Sequence, residues 1–342
     1  MPSIAQAPHS HAGATRRVVP GLGLAAVGVL AALGIAALLP TVSVLLIAIV
    51  LGILTRNLLP LPEQVEPGLA FAAKRLLRAG IVLLGLQLVL GDILGLGAGI
   101  IVTVVAVVAV GFAVTLLAGR LLGLSGTQTL LIASGFSICG AAAVAAVDGV
   151  VRTEDEEEVV TAVALVVVFG TLMIPALPLA AAALGLDADV TGLWAGAAVH
   201  EVAQVVAIGG TLGAAALSAA VLVKLARVLL LAPVVLLVSA HRRRTLRSRA
   251  DGEAATLPPL VPLFVAGFVA MVALRSTGIV PAAVVDAAGL VQSALLAAAM
   301  FALGAGVRLS LLRRVGARPF ALAAISTFAV AATGLSGVLL AS

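Results

Sequence analysis

The residues able to do chemistry form a few polar clusters in a strongly apolar sequence. The first cluster, Gly135–Gly140, places two Gly, one Ser and one Cys inside an apolar run. Because Gly disfavours a helix by about 1 kcal/mol relative to Ala, this segment predicts an interrupted membrane helix. Backbone groups freed at membrane depth are tolerated only where they face a cavity or a ligand. A helix that restarts after Gly140 would point its positive end inward.

A second interruption is predicted at Gly304–Gly306, entering from the opposite side of the membrane. Two convergent helix N-termini can bind an anion without any charged side chain. On this interpretation the substrate-binding residues are Ser137, Ile138, Cys139, Gly140, Gly304 and Gly306. The alternative is that these glycines are close-packing positions between helices.

Another polar cluster follows in an otherwise apolar span and consists of His200, Glu201 and Gln204. His200 and Gln204 are four residues apart, so a helix would place them on one face. Polar side chains at membrane depth usually face a bundle interior or a water-filled path. Both His and Glu can transfer protons, so we predict a coupling or gating role for this cluster. The alternative is a hydrogen-bonded cluster that holds two helices together.

Lys224 and Arg227 lie well inside a long apolar helix. Each would cost about 2.5–3.5 kcal/mol at the bilayer centre, so each needs a partner. An anionic substrate and the carboxylate of Glu201 are the two candidates, and we predict that both cations contribute to substrate binding. Snorkelling to the interface is the alternative. Lys74 and Arg78 lie near a predicted helix end and are interpreted as interfacial anchors.

Several activities are disfavoured by the sequence. Position 204 is Gln where a zinc-protease helix requires its second His, and no phosphate-binding loop, dinucleotide fingerprint or nucleophile elbow is present. The single Cys139 allows neither an internal disulfide nor a cysteine-cluster metal site. We therefore expect no metal, no cofactor and no enzymatic activity. An intramembrane enzyme would have to use Cys139, His200 and Glu201, and nothing else supports that alternative.

Composition places these clusters in a membrane protein. Of 342 residues, 62% are hydrophobic and 10% are charged, and the mean hydropathy is +1.27. Soluble domains contain about 25% charged residues, so lipid must be the solvent for most of this chain. The 20 basic and 15 acidic residues lie mainly in the loops between apolar runs, which argues against binding to nucleic acid.

The apolar runs predict an all-α membrane protein of about eleven transmembrane helices. Residues 1–17 read as a disordered cytoplasmic tail, and residues 18–342 as one transporter domain. The predicted spans are 19–39, 41–60, 70–91, 95–119, 126–149, 158–184, 190–210, 213–240, 258–276, 284–307 and 318–341.

Basic residues orient these spans by the positive-inside rule. With the N-terminus in the cytoplasm, nearly all basic residues fall on the cytoplasmic side, whereas Arg152, Arg275 and the acidic run 154–158 fall outside. This bias supports an odd number of crossings, with the C-terminus outside, in a bacterial cytoplasmic membrane. Other odd counts, such as nine, fit the same bias.

Two pairs of segments suggest an internal repeat. Residues 128–140 resemble residues 292–304, with Gln at the start and Gly at the end of both, and residues 74–78 weakly resemble residues 224–227. In the predicted topology the members of each pair run in opposite directions, as in the inverted repeats of many secondary transporters. We therefore predict two inverted five-helix repeats, at about 41–184 and 190–341, with discontinuous crossing helices. Chance similarity between Ala- and Leu-rich helices is the alternative.

Four segments in order carry a resemblance to a known family: residues 76–85, 135–143, 199–206 and 224–228. Together they are similar to the bacterial multi-pass membrane family often labelled sulfate exporters. The pieces Ser-Ile-Cys-Gly and His-Glu-Val-Ala-Gln are the most specific, and the N-terminal tail is not covered. The resemblance implies a relation to the cation–proton antiporter and bile-acid transporter group, with inverted five-helix repeats and two crossing broken helices.

The function expected from these observations is secondary transport of a small anion, such as sulfate, sulfite or a related sulfur-containing anion. Coupling to protons or sodium is expected, and a homodimer is left open. The rival is a cation–proton antiporter of the same fold. Such antiporters place carboxylates beside the helix breaks, and the two predicted breaks contain none.

Overall fold

The structure is a computed structural model and describes residues 11–39, 44–151, 153, 155–249, 261–306 and 316–341. Throughout these residues the regular structure is helical. Six helical segments are long and apolar enough to cross a membrane, namely 17–38, 98–121, 157–183, 214–245, 282–306 and 317–341. The protein is therefore a multi-pass membrane protein.

The helices follow one another with short connections. The first half contains α1 His11–Leu38, α2 Val44–Leu58, α3 Glu66–Phe71, α4 Leu77–Leu84, α5 Leu90–Gly95, α6 Ala98–Leu121, α7 Gly126–Ser134 and α8 Ala141–Val151. The second half contains α9 Glu156–Ala183, α10 Ala188–Ala198, α11 Val202–Leu212, α12 Ala214–Leu229, α13 Leu231–Arg249, α14 Leu263–Ser276, α15 Ala282–Gly306 and α16 Ala317–Ala341. One π-helical segment, Ala72–Leu76, joins α3 to α4, and another, Gly135–Cys139, follows α7.

Side-chain caps fix where three of these helices begin. Ser125 accepts a hydrogen bond from the backbone of α7, Asp155 caps α9 and Asp187 caps α10. Ser and Asp favour the N-cap because their side-chain oxygens accept from the otherwise unpaired N–H groups of the first turn. These caps lie in the short links of the chain, so they set the ends at which the central helices start.

The helices form two bundles. In the first, called here the panel bundle, α15 packs along α2 and α4, α1 packs against α2 and α3, and α14 packs against α4. In the second, called the hairpin bundle, α16 packs along α6, α10 and α11 pack along α12, and α7 and α8 pack along α9. The bundles meet along a face formed by α4 and α15 on one side and by α8, α11 and the α12–α13 junction on the other.

Residues 126–151 form a re-entrant hairpin, called hairpin 1, which turns back at Gly140. Ser125 contacts Glu158, and Gly135 lies against Val166, so α7 runs parallel to α9. α8 ends only a few residues before α9 begins and must therefore return to the end where α7 started. Hairpin 1 enters and leaves the bundle at the same end.

Residues 188–212 form a second re-entrant hairpin, called hairpin 2. Gly192 lies against Ala216 and Gly196 against Ala220, a constant offset that makes α10 parallel to α12. α11 is joined to α12 by Gly213 alone and folds back along it, because Gly209 lies against Leu217 on the other side of that link, so the two helices are antiparallel. α10 and α11 are therefore antiparallel, and the chain reverses between residues 198 and 202.

The two hairpins open at opposite ends of the molecule. α9 starts beside the open end of hairpin 1 and finishes beside the open end of hairpin 2. Its 28 residues span about 42 Å, which is enough to cross a bilayer. The tips of both hairpins consequently meet near the middle of the hairpin bundle.

This arrangement corrects the predicted spans at 126–149 and 190–210, which reverse instead of crossing. Hydropathy records the length and apolarity of a segment and carries no information about its direction. The two predictions were wrong for the same reason. Two half-length helices that form a hairpin together contain as many apolar residues as one helix that crosses the membrane.

The predicted interruption at Gly304–Gly306 is also wrong, because α15 is helical through Gly306. A Cβ on Gly304 would lie 2.2 Å from the carbonyl oxygen of Ile49, so this glycine permits close contact between α15 and α2. That is the close-packing role of small residues in membrane helices. Consequently, the segments 128–140 and 292–304, paired in the predicted repeat, differ in structure.

The predicted N-terminal tail is only partly described. α1 begins at His11, so residues 11–17 belong to a helix and not to a disordered segment. Residues 1–10 lie outside the described part of the chain.

Candidate functional site

The tip of hairpin 1 is built by a π-helical turn and a glycine. Residues Gly135–Cys139 adopt the wider π-helical geometry, and Gly140 follows with φ +75° and ψ −139°. A positive φ is strained for residues with a Cβ, so Gly is the residue that fits this reversal. The predicted interruption at Gly135–Gly140 is therefore confirmed, and a new helix begins at Ala141 as expected.

The tip of hairpin 2 is formed by Val199, His200 and Glu201. Val199 and Glu201 have extended backbone angles, so α10 ends and α11 starts without a glycine. Glu201 caps α11 in a reciprocal capping box: its side chain accepts from the backbone of Gln204, and the Gln204 side chain accepts from the Glu201 N–H at 3.0 Å. A capping box pairs two N–H groups that a helix start leaves free.

Lys224 of α12 ties the two tips together. Its Nζ donates to the carbonyl of Ile138 at 2.9 Å and to that of Val199 at 2.8 Å, and the side chain is fully buried. These carbonyls belong to the last turn before each reversal, where a helix leaves C=O groups unpaired. A cation at a helix C-terminus also favours the helix dipole.

Arg227, one turn further along α12, binds the same two chain ends. Nε and Nη2 donate to Ser137 at 3.3 and 2.9 Å, and Nη2 also donates to Phe136 at 3.1 Å. Nη1 donates to Ala197 at 2.8 Å and to Val199 at 2.9 Å. All three guanidinium nitrogens are thus engaged with backbone carbonyls, and the side chain is fully buried.

Glu201 occupies the complementary position, where the two return helices begin. Its Oε1 accepts a hydrogen bond from the N–H of Ala141, the first residue of α8, at 3.1 Å. As the N-cap of α11 it also covers the start of that helix. One carboxylate therefore lies at two positive helix ends, while two cations lie at two negative helix ends.

His200 joins a third element to the tips. Its Nδ1 lies 3.2 Å from the carbonyl of Phe136, and its Nε2 lies 3.0 Å from the hydroxyl of Thr327 in α16. A carbonyl only accepts, so Nδ1 carries a hydrogen and donates it. The imidazole is also 4.5 Å from the Phe136 ring, centroid to centroid. Both ring nitrogens are engaged, and no hydrogen bond joins His200 to Cys139 among the described residues.

A cavity of about 60 Å³ adjoins Glu201 and Cys139 at the face between the two bundles. The hairpin bundle contributes these two side chains with Ala142 and Val202, and the panel bundle contributes apolar residues of α2, α4 and α15. His200, Lys224 and Arg227 are absent from this cavity wall. Glu201 is therefore the charged group of the centre that adjoins open space.

The structure brings together nine of the eleven predicted site residues and separates the other two. Those gathered at the hairpin tips are Ser137, Ile138, Cys139, Gly140, His200, Glu201, Gln204, Lys224 and Arg227. Gly304 and Gly306 belong to the panel bundle, in α15. The second chain reversal of the centre lies at Val199–Glu201. The two predicted breaks contained no carboxylate, whereas this reversal contains Glu201.

The predicted geometry of the anion site needs a further correction. The helix N-termini at the tips are covered by Glu201, and the donors of Lys224 and Arg227 point at backbone carbonyls instead of an open site. Glu201, one of the two candidate partners for the cations, forms no ion pair with Lys224 within 4.0 Å among the described residues. The carbonyls that hold the cations were not identifiable from the sequence, because backbone groups have no residue-type signature.

The fold and the centre define a class: a multi-pass membrane protein in which two re-entrant hairpins meet at a charged, buried junction. The family described as "Conserved hypothetical protein 698" matches residues 20–323, which include both hairpins. The chain belongs to this family. This agrees with the resemblance to a bacterial multi-pass membrane family that was noted in the sequence.

Relatives cover nearly the whole chain. A UPF0324 membrane protein of Corynebacterium glutamicum is 53% identical over 96% of this chain and 94% of its own length. Another, of Pseudomonas aeruginosa, is 42% identical over 91% and 90%. UPF0324 membrane protein TauZ of Paracoccus denitrificans is 38% identical over 81% and 82%. These names describe membrane proteins and state neither a substrate nor a coupling ion.

Proposed function

We propose that the protein is a secondary transporter that moves a small anion across the bacterial cytoplasmic membrane. The observation that carries this proposal is the charge balance at the hairpin tips. Lys224 and Arg227 supply two positive charges and Glu201 supplies one negative charge, all within the apolar bundle. The excess positive charge in a region of low dielectric favours an anionic ligand.

Glu201 suggests how such an anion is coupled. Its carboxylate now covers the N–H groups at the starts of α8 and α11. When Glu201 takes up a proton, these helix ends lose their counter-charge, and an anion in the adjoining cavity can accept their hydrogen bonds. In this scheme the anion and the proton move together, and the carboxylate returns to the helix ends after release.

The size of the cavity implies a conformational change. A volume of about 60 Å³ is well below the roughly 300–1,000 Å³ that is usual for ligand-binding pockets. A hydrated or polyatomic anion needs more space, so the panel and hairpin bundles must move relative to one another during transport. Rigid-body movement of one helical unit against another around a central site is the usual mode of alternating access.

The opposed hairpins support inverted repeats as part of the proposed architecture. An inverted repeat places equivalent elements on opposite sides of the membrane, and hairpins 1 and 2 open at opposite ends. Removing two crossings from the predicted eleven leaves nine, which is still odd. The proposed orientation, with a cytoplasmic N-terminus and an external C-terminus, is therefore retained. The acidic run 154–158, which follows hairpin 1, moves to the cytoplasmic side.

Transport assays in liposomes test the function. Purified protein should move sulfate, sulfite or a small sulfonate faster than protein-free liposomes, and acidification on the loading side should increase the flux. The Glu201→Gln variant should lose the dependence on pH. Flux no greater than in empty liposomes across this panel of sulfur-containing anions would refute the substrate class.

A cation–proton antiporter of the same fold remains the second candidate, and one observation favours it. Glu201 is a carboxylate at a chain reversal and adjoins a cavity, which is the arrangement expected for a site that exchanges sodium for protons. Everted membrane vesicles distinguish the two functions. Sodium-dependent proton release that disappears in Glu201→Gln would establish the antiporter, whereas proton movement that requires an anion would establish the first proposal.

A further inference from the structure

Three cavities follow one another along the face between the panel and hairpin bundles. The innermost is the cavity of about 60 Å³ at Glu201, and it shares Leu77 and Ile81 with a second cavity of about 60 Å³. The second shares Lys74 and Asp148 with a third, of about 200 Å³. The series leads from the centre to the end of the molecule at which hairpin 1 opens.

The middle cavity is lined by Arg78, whose guanidinium is held without a carboxylate. It lies 5.6 Å from the centroid of the Phe264 ring, in cation–π geometry. On its other side it fits against Gly149 of hairpin 1, where an added Cβ would be 2.6 Å from Nη2. Among the described residues, no carboxylate oxygen lies within 4.0 Å of Arg78, and its N–H groups form no hydrogen bond.

Arg78 and Arg227 therefore differ in what they can still bind. The donors of Arg227 are directed at backbone carbonyls. The guanidinium of Arg78 is partly exposed to a cavity, and its N–H groups are available to donate to a ligand. Their geometry matches the oxygens of a tetrahedral or planar anion. An interfacial anchor would instead extend toward the headgroups.

The charges around the outer cavities leave a small positive excess. Lys74 and Arg78 face Asp148, whose Oδ1 already accepts the N–H of Thr153. Glu66 lines the outermost cavity and is paired with Arg56 of α2 at 2.7 Å. Because Arg56 neutralises Glu66, the charged lining residues left among those described are Lys74, Arg78 and Asp148, and Arg78 is the basic one that lies furthest toward the centre.

We propose that these cavities form the access route to the hairpin tips from the end at which hairpin 1 opens, and that Arg78 is an anion-binding residue half-way along it. This inference rests on the proposed function, because it assumes an anionic substrate. Leu77 and Ile81, which are 1% and 3% exposed, separate the inner cavity from the middle one and form the closed part of the route.

The single cysteine of the chain provides a test that needs no transport substrate. Cys139 adjoins the innermost cavity, so its reaction with small membrane-impermeant thiol reagents measures access along the route. We compare a negatively charged sulfonatoethyl and a positively charged trimethylammonioethyl methanethiosulfonate, applied to vesicles of both orientations. The expected result is faster labelling by the anionic reagent, from the side that exposes Lys74.

The Arg78→Gln variant should lower the ratio of anionic to cationic labelling rates by about tenfold, since a charge in a cleft changes encounter rates by this order. Arg75→Gln is the matched control, because Arg75 is exposed, lies on the same segment and lines none of the three cavities. Its ratio should equal that of the wild type. An unchanged ratio in Arg78→Gln overturns the role of Arg78.

A second reporter covers the case in which the closed passage shields Cys139. In a Cys139→Ser background, Ala145→Cys places a thiol at the middle cavity, outside Leu77 and Ile81. Labelling of both reporters only from the opposite side, or of neither, overturns the route. Liposomes that move no anion would refute the proposed function without changing the labelling rates. Failure of the proposed function and failure of the proposed route are therefore distinguishable.

Discussion

The carboxylate of Glu201, at the tip of one hairpin, accepts a hydrogen bond from the backbone N–H of Ala141, just beyond the tip of the other, at 3.1 Å. This contact joins segments that are 60 residues apart in sequence. The charges of the centre are arranged according to the helix ends that they meet. Glu201 lies at the starts of the two helices that leave the tips, whereas Lys224 and Arg227 lie at the ends of the two helical segments that enter them.

Replacing the charge of Glu201 should separate anion binding from proton coupling. Glu201→Gln resembles the protonated acid, so anion binding should become independent of pH and be at least as tight as in the wild type at acidic pH. Proton movement that accompanies the anion should be lost. Binding measured by calorimetry between pH 5 and 8 checks this, with the exposed Glu157→Gln as the control. A variant that binds anions with the wild-type pH dependence would contradict the coupling scheme.

Removing Arg227 should destabilise the fold, because five backbone carbonyls at the hairpin tips would lose a buried charged donor. We expect Arg227→Gln to lower the free energy of unfolding by about 3 kcal/mol or more. Arg244→Gln, at an exposed position near the end of α13, should change it by less than ~0.5 kcal/mol. Unfolding in denaturing detergent measures both. Equal stability of the two variants would show that the tip contacts contribute little.

Gly140 should not tolerate a side chain, for two independent reasons. Its φ of +75° is strained for other residues, and an added Cβ would lie 2.4 Å from Cγ of Glu201. Gly140→Ala should therefore cost about 1–3 kcal/mol of stability and disturb the Glu201 cap. Gly23→Ala in α1 is the control, since no atom lies within 4 Å of a Cβ there. That substitution should be neutral or slightly stabilising, and a similar loss in both variants would argue against the tip geometry.

Gly304 and Gly306 should respond differently to alanine. A Cβ at Gly304 would collide with the backbone of Ile49, whereas none of the described atoms lies within 4 Å of a Cβ at Gly306. We expect Gly304→Ala to lower the thermal midpoint of unfolding and Gly306→Ala to leave both the midpoint and the anion flux unchanged. Loss of flux in a stable Gly306→Ala protein would restore the predicted binding role of this segment.

His200 should act by positioning the tips. Its ring is held by the Phe136 carbonyl and the Thr327 hydroxyl and does not line the cavity at Glu201. His200→Gln should reduce stability and the maximal flux while keeping the wild-type pH dependence of anion binding. Thr327→Val, which removes the hydroxyl partner of the ring, should have a smaller effect in the same direction. A flattened pH profile in His200→Gln would instead assign proton coupling to this residue.

Much of the centre was predictable from residue type and spacing. His200, Glu201, Lys224 and Arg227 stood out because polar side chains within apolar runs need partners. Gly140 stood out because glycine weakens a helix. The second reversal was missed because Val199–Glu201 contains no glycine or proline, and its extended backbone is stabilised by contacts with α12 and hairpin 1. Arg78 was interpreted as an anchor because its cavity is formed by helices that are distant in sequence.

By itself, the sequence determined that this is a helical membrane protein, and that its charges concentrate at a small set of interior positions. The tertiary structure alone decided which helix ends those charges meet and which spans turn back. The physical reason is that hydropathy is a scalar property of a segment, whereas the direction of a helix and of its dipole are set by packing. The charge bias of the loops did not reveal the hairpins, because two reversals together leave the parity of the crossings unchanged.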